Sequence, residues 1–120
     1  MKKIPKVFES EYRFCLIMWE NEPVTCAHLA ALCKEKLEWS RTTTYTVIKR
    51  LAERGILEVE NSTVHALVTK DEVQMAELEE MLEKRFEGSL PSFIAAFAKQ
   101  QNLSQKDIEE IRRIIEKGGN

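Results

Sequence analysis

Near Gly55 the hydrophobic period of this 120-residue chain changes from that of a helix to that of a strand, which leaves few folds open. Before it, three segments carry apolar residues at helical spacing. Ser10 can cap the first, whose Phe14, Leu16, Ile17, Met18 and Trp19 are dense enough to be core and which ends before Asn21-Glu22-Pro23. Thr25 can cap the second, where Ala27, Leu29, Ala30, Leu32, Cys33 and Leu37 recur up to Glu38-Trp39. Ser40 opens the third, with Val47, Ile48 and Leu51 as its apolar stripe, a polar front from Arg41 to Thr46, and Gly55 as its C-terminal stop. Beyond Gly55, Ile56-Leu57-Glu58-Val59-Glu60 and Val64-His65-Ala66-Leu67-Val68 flank a turn-prone Asn61-Ser62-Thr63 with period two, the pattern of a β-hairpin. Three helices and a hairpin, the third helix polar and basic at its front, is the order of a winged helix-turn-helix, here residues 1–68.

Residues 69–120 read as helix again. Thr69-Lys70-Asp71-Glu72 is a capping box for a run through Val73, Met75, Ala76, Leu78, Met81, Leu82 and Phe86 that ends at Gly88-Ser89. Pro91 suits the first turn of a helix carrying Phe93, Ile94 and Phe97, and Ser104 to Asp107 opens another with Ile108, Ile111, Ile114 and Ile115. So short a segment cannot hide this much apolar surface within itself. A two-fold homodimer is the simplest cover, with Leu78, Met81, Leu82, Phe86, Phe93, Ile94, Phe97, Ile111 and Ile115 as the expected dimerisation residues. The expected class is therefore mainly α with a small β-hairpin: a winged helix-turn-helix domain followed by a helical dimerisation domain.

Few chemistries suit this residue set. His28 and His65 have no Ser, Cys or paired carboxylate at a motif spacing, and there is no Gly-rich phosphate loop, so neither a catalytic residue nor a cofactor is expected. Cys15, Cys26 and Cys33 are odd in number and lack CxxC spacing, which argues for reduced thiols packed as small hydrophobes and against a metal site. Cys26 and Cys33, seven residues apart, fall near one helix face and leave a thiol sensor as the lesser alternative. No apolar run approaches the roughly 20 residues that cross a bilayer, and Lys6 and Glu9 interrupt any leader-like stretch, so a cytoplasmic protein with no membrane partner is expected.

The formal charge of −2 conceals an asymmetry. Residues 1–68 carry 10 Lys and Arg against 9 Asp and Glu, and residues 69–120 carry 8 against 11, so the halves are +1 and −3. Between Arg41 and Arg54 the cations Arg41, Lys49, Arg50 and Arg54 face only Glu53, a local basic footprint. In the same stretch Ser40-Arg41-Thr42-Thr43-Thr44-Tyr45-Thr46 is a poor helix surface for water, where Glu, Lys or Gln would be favoured. It suits a nucleic-acid groove. Thr hydroxyls can donate or accept at base edges and phosphates, a Thr methyl can pack on a thymine methyl, and the helix N-terminus near Ser40 and Arg41 favours a phosphate. The expected DNA-binding set is Ser40, Arg41, Thr42, Thr43, Tyr45, Thr46, Lys49 and Arg50.

The run from Trp39 to Gly55, WSRTTTYTVIKRLAERG, resembles the recognition-helix signature of the penicillinase-repressor family, the BlaI/MecI/CopY repressors. Glu11 to Trp19 is similar to that family's opening helix. Gly88-Ser89-Leu90 through Phe97 to Leu103-Ser104 and Ile108-Glu109-Glu110-Ile111 is similar to its dimerisation region. The resemblance implies a repressor that binds a palindromic double-stranded DNA operator as a homodimer. It further implies Thr43 and Thr46 as base readers, Arg50 as phosphate anchor, and Ser40 and the hairpin as secondary contacts.

Several positions depart from the family pattern. Pro-Lys usually follows Trp-Ser, with a basic residue three positions later; Arg41, Thr42 and Tyr45 stand there, which implies a different operator. Glu58 and Glu60 occupy wing positions where Lys is frequent, which weakens a phosphate role for the wing. In antibiotic-responsive members a sensor protease cuts an Asn-Phe bond; the matching pair here is Ala96-Phe97, so a sensor protease remains only a partner with a poor cleavage-site match. Copper-responsive members carry a Cys-x-Cys tail, and Ser104 to Asn120 contains no Cys. The competing reading is a winged-helix module whose Thr/Tyr face binds a protein.

Overall fold

The computed structural model describes residues 3–100 and 102–118. The chain gathers into two compact units that divide between Leu78 and Glu79. In order, the first unit holds α1 (Glu9–Asn21), β1 (Val24–Thr25), α2 (Cys26–Leu37), α3 (Arg41–Glu53), β2 (Leu57–Glu60), β3 (Thr63–Ala66) and the start of α4 (Lys70–Phe86). This is the winged helix that the change of period predicts.

Helix boundaries follow local chemistry. Thr25 caps α2 by accepting from the His28 N–H (3.1 Å), and Ser40 caps α3 by accepting from the Thr43 N–H (3.1 Å). Glu38, in the left-handed region at φ 59°, makes the turn between those two helices, and Trp39 then stacks on Phe14 of α1 with ring centroids 6.1 Å apart. At the far end of α3, Gly55 at φ 82° lets its own N–H reach the Ala52 carbonyl and the Ile56 N–H reach that of Leu51, a Schellman stop.

Ser10 does not cap α1. The helix starts at Glu9, with Ser10 exposed inside its first turn. Glu11 reaches back instead to accept from the Phe8 N–H at 3.0 Å. A carboxylate at the third helical position both accepts that donor and faces the positive end of the helix dipole, so it outcompetes a serine hydroxyl nearer the start.

The hairpin turn is tighter than its composition implies. Asn61 and Ser62 alone form it, both at positive φ (51° and 60°) as in a type I′ turn, and Thr63 already belongs to β3. The sheet also has a third strand: β1 pairs antiparallel with β3 (Val24 opposite Val64), giving the order β1-β3-β2. Two residues after a proline carry no readable period, which is why β1 is silent in the sequence.

Phe14 and Met18 of α1, Leu29 and Cys33 of α2, Val47, Ile48 and Leu51 of α3, and Ile56, Leu57, Val64, Val68 and Val73 fill one core. Val73 brings the first turns of α4 into it, and the Thr69–Glu72 capping box forms as expected, with bonds of 2.9 and 3.0 Å. The Trp19 indole N–H donates to the Val68 carbonyl at 2.9 Å, so the exit from the hairpin is tied to α1.

The second unit holds the end of α4 with α5 (Leu90–Gln100) and α6 (Gln105–Gly118). Ser89 caps α5 and Ser104 caps α6, by accepting from Ser92 and Asp107 N–H groups. Among the described residues, neither α5 nor α6 has a buried one. Leu82 is buried, Leu78, Met81, Phe86 and Phe93 are half-buried, and Ile94, Phe97, Ile111 and Ile115 are exposed, along with Leu90, Ile108 and Ile114. Phe86 meets Phe93 edge-on at 5.4 Å, and Phe93 lies 6.2 Å from Phe97.

One ionic contact joins distant parts of the first unit. Both carboxylate oxygens of Glu11 accept from Arg54 Nη1, at 2.8 and 2.7 Å, with the Glu11 side chain only 5% exposed and that of Arg54 28%. The Lys6 carbonyl accepts from the same guanidinium, which lies over the Phe8 ring. Losing one partner of a fully buried pair costs about 3–5 kcal/mol, and the residual exposure of Arg54 lowers this. Glu11→Ala is expected to destabilise the protein by about 2–3 kcal/mol in urea unfolding, whereas substituting the neighbouring exposed Glu9 should cost little.

Candidate nucleic-acid interface

Helix α3 divides its residues sharply between core and solvent. Thr44, Val47, Ile48 and Leu51 are buried, whereas Arg41, Thr42, Thr43, Thr46, Lys49 and Arg50 are exposed and Tyr45 is half-buried. With 3.6 residues per turn, Thr42, Thr46 and Lys49 run along the middle of the outward side. Arg41 and Tyr45 form one flank of it, and Thr43 and Arg50 the other.

Thr44, the one threonine of the run outside the expected DNA-binding set, faces inward. It is fully buried, and its hydroxyl donates to the Ser40 carbonyl at 3.3 Å. Composition shows four threonines in a row of five, but helical geometry turns one inward, where its hydroxyl finds a backbone partner. Ser40 is fully engaged as well: its oxygen accepts from the Thr43 N–H and its hydroxyl donates to Thr43 Oγ1 at 2.9 Å. That bond leaves the Thr43 hydroxyl proton to be donated elsewhere.

The basic footprint is smaller than the sequence implies. Arg54 is turned away from the outward side of α3 and held by Glu11, so its charge is neutralised within the fold. Arg41, Lys49 and Arg50 stay exposed, and among the described residues none of them is in an ion pair. Arg41 has a different partner, the Tyr45 hydroxyl, which accepts from Nη2 at 3.1 Å, while the guanidinium lies 5.3 Å from the tyrosine ring centre. Sequence reasoning missed this contact, although the four-residue spacing that creates it was visible.

Beside Arg41 lies a shallow depression of about 230 Å³, lined by Ala27, Ala30 and Ala31 of α2 and by Lys34. Small side chains there allow close approach by another backbone, with a cation at its edge. Across the hairpin, Glu58 and Glu60 are exposed, so the wing offers carboxylates beside its Asn61-Ser62 tip.

A family model described as penicillinase repressor matches residues 8–117. The chain belongs to the penicillinase repressor family. Membership places it among transcriptional repressors. It is similar to the methicillin resistance regulatory protein MecI of Staphylococcus aureus (strain Mu50 / ATCC 700699), with 24% identity across 96% of this chain and 97% of that protein. The penicillinase repressor of Bacillus licheniformis is 25% identical, covering 100% and 97% of the two chains. That of Staphylococcus aureus is 27% identical, covering 88% and 87%. The family match begins at Phe8 and so takes in Glu11, all of α3 and the wing. Among the described residues no helix is long and apolar enough to cross a membrane.

Behind this surface the three cysteines are unpaired thiols. Burial pushes Cys15 up to about 12 from an ordinary 9.0, with the Glu11 carboxylate adding to the rise and Arg54 opposing it. Burial also raises Cys26 and Cys33, and the Thr44 hydrogen bond partly offsets this for Cys33. The thiolate is disfavoured at all three, which suits packing better than sensing. Folded Cys15 keeps its proton to about pH 12 whereas an unfolded cysteine releases it near 9.0, so between these values the folded state binds more protons and stability falls as pH rises. The expected loss is on the order of 1.4 kcal/mol per pH unit in that window. Denaturant melts of the wild type and Cys15→Ala should differ by that slope above pH 9, up to pH 11, and by none of it between pH 7 and 8.

Proposed function

We propose that this repressor binds a palindromic DNA operator as a homodimer, with α3 in the major groove of each half-site. The observation that carries this reading is the division of α3. Its inner stripe anchors the helix, while three threonines and three cations that the fold does not neutralise are exposed, with Tyr45 half-buried at their flank. Hydroxyls and cations on one exposed helix face match what a groove presents, base edges flanked by two phosphate lines.

In this reading Thr42, Thr43 and Thr46 face the bases. Arg50 and Lys49, in the second half of α3, reach phosphates, and Ser40 serves mainly as the helix cap. The winged unit supplies the DNA contact, and α5 and α6 supply the dimer contact. Exposed Leu90, Ile94, Phe97, Ile108, Ile111, Ile114 and Ile115 support that second assignment, since a partner helix face of the same kind would remove them from water. Such a dimer would set two α3 helices about 34 Å apart, one helical turn of DNA. A protein acting on chromosomal DNA in this way works in the cytoplasm, and the mechanism calls for no cofactor.

Fluorescence anisotropy with an operator fragment tests the DNA half of the proposal. Observed affinity should fall by roughly 0.9 log unit per log unit of salt for each phosphate neutralised. Arg50→Ala should flatten that slope by about one phosphate and weaken binding to all sequences alike. Affinity insensitive to salt would point instead to a protein partner for the same face.

Sedimentation tests the other half. Without DNA the full chain should run as a dimer at tens of micromolar, and Phe97→Asp combined with Ile111→Asp should run as a folded monomer. A wild-type monomer at that concentration would overturn the dimer assignment.

A further inference from the structure

We infer that Arg41 reads a guanine in each operator half-site and that Tyr45 positions it to do so. The inference rests on the proposed DNA-binding role of α3 and adds to it which residue sets the sequence preference.

Three observations support it. Arg41 is the first residue of α3, and the opening residues of a groove-bound recognition helix are those that reach base edges. Its guanidinium is also held: the Tyr45 hydroxyl accepts from Nη2 at 3.1 Å, and the ring lies 5.3 Å from the guanidinium carbon. Arg41 is exposed and Tyr45, one turn further along the same flank, is half-buried against the core, so an anchored ring restrains the planar group and reduces its rotamer freedom.

Phosphate contact needs no such restraint, because a flexible cation serves it well, as Lys34 at the edge of the neighbouring depression can. Bidentate bonding to the O6 and N7 atoms of guanine does need a planar fork in a set orientation. A guanidinium carries five N–H donors and the tyrosine bond occupies one, which leaves enough for a two-bond contact. Among the residues facing outward from the first turn of α3, Arg41 is also the sole cation, beside the uncharged Thr42 and Thr43. The paired N–H donors that could discriminate guanine from adenine at this end of the helix are therefore its own.

The test is selection of full-length protein against a randomised inverted-repeat DNA library, run in parallel for wild type, Arg41→Lys, Arg41→Ala and Tyr45→Phe. Wild type is expected to enrich an inverted repeat with one invariant guanine per half-site. Arg41→Lys and Arg41→Ala should keep the rest of the motif while losing on the order of 10- to 100-fold discrimination at that base. Tyr45→Phe retains the ring and removes the hydroxyl, and it should relax the same position to a smaller degree.

Uniformly weaker binding by the Arg41 variants with an unchanged motif, and a salt slope lower by about 0.9, would make Arg41 a phosphate contact and overturn the inference while leaving the repressor reading intact. An unchanged base preference in Tyr45→Phe would overturn the positioning role. Failure of the wild type to enrich any sequence would defeat the DNA-binding proposal itself, and this inference with it. All substituted side chains lie at least partly in solvent, and unchanged thermal midpoints would confirm that each variant is folded.

Discussion

Burial of Thr44, Val47, Ile48 and Leu51 along one side of α3 is the constraint on which the remaining features depend. Each apolar side chain taken fully from water contributes about 1.5–3 kcal/mol, so rotating the helix about its axis would forfeit several such terms together. The outward residues are therefore set by the inward ones. Ser40 and Gly55 fix where the helix starts and stops, and Trp39 and Arg54 fasten its two ends to α1 through Phe14 and Glu11. An exposed helix face made largely of polar groups has little cohesion of its own, and here the rigidity comes from what lies behind it.

Much of this arrangement was legible from local patterns. Thr25, Ser40, Thr69 and Gly55 mark helix ends because a cap bonds within three residues of itself or needs a left-handed backbone, and both leave a trace in composition. Alternation around Asn61-Ser62 marked the hairpin for a similar reason. Contacts between distant residues left no such trace. Arg54 reads as one more cation on a basic helix until Glu11, 43 residues earlier in sequence, is seen to hold it. The pairing of β1 with β3 is likewise a property of the folded chain. Thr44 and Tyr45 are intermediate cases, since helical geometry alone turns one inward and sets the other beside Arg41, yet a run of similar residues hides the division.

The two units solve the problem of a short chain differently. In the first, three helices and a small sheet surround a common core, and a side-chain capping bond closes the start of each helix. The second has long, well-capped helices whose apolar residues stay largely on the outside. A segment of that size has too much surface for its volume to enclose all of its hydrophobic side chains. Its surplus is legible in the sequence as isoleucines and phenylalanines at helical spacing, although which of them stay in water is not.

The capture of Arg54 by Glu11 also bears on how such a protein would find its site. A genome offers on the order of a million or more competing positions, and each cation facing DNA strengthens the hold of all of them equally. With one arginine withdrawn into the fold and carboxylates along the wing, the indiscriminate attraction would be weaker than the cation count implies. Fewer copies would be lost to irrelevant sequence, dwell times away from the target would be short, and a small population could keep its site occupied.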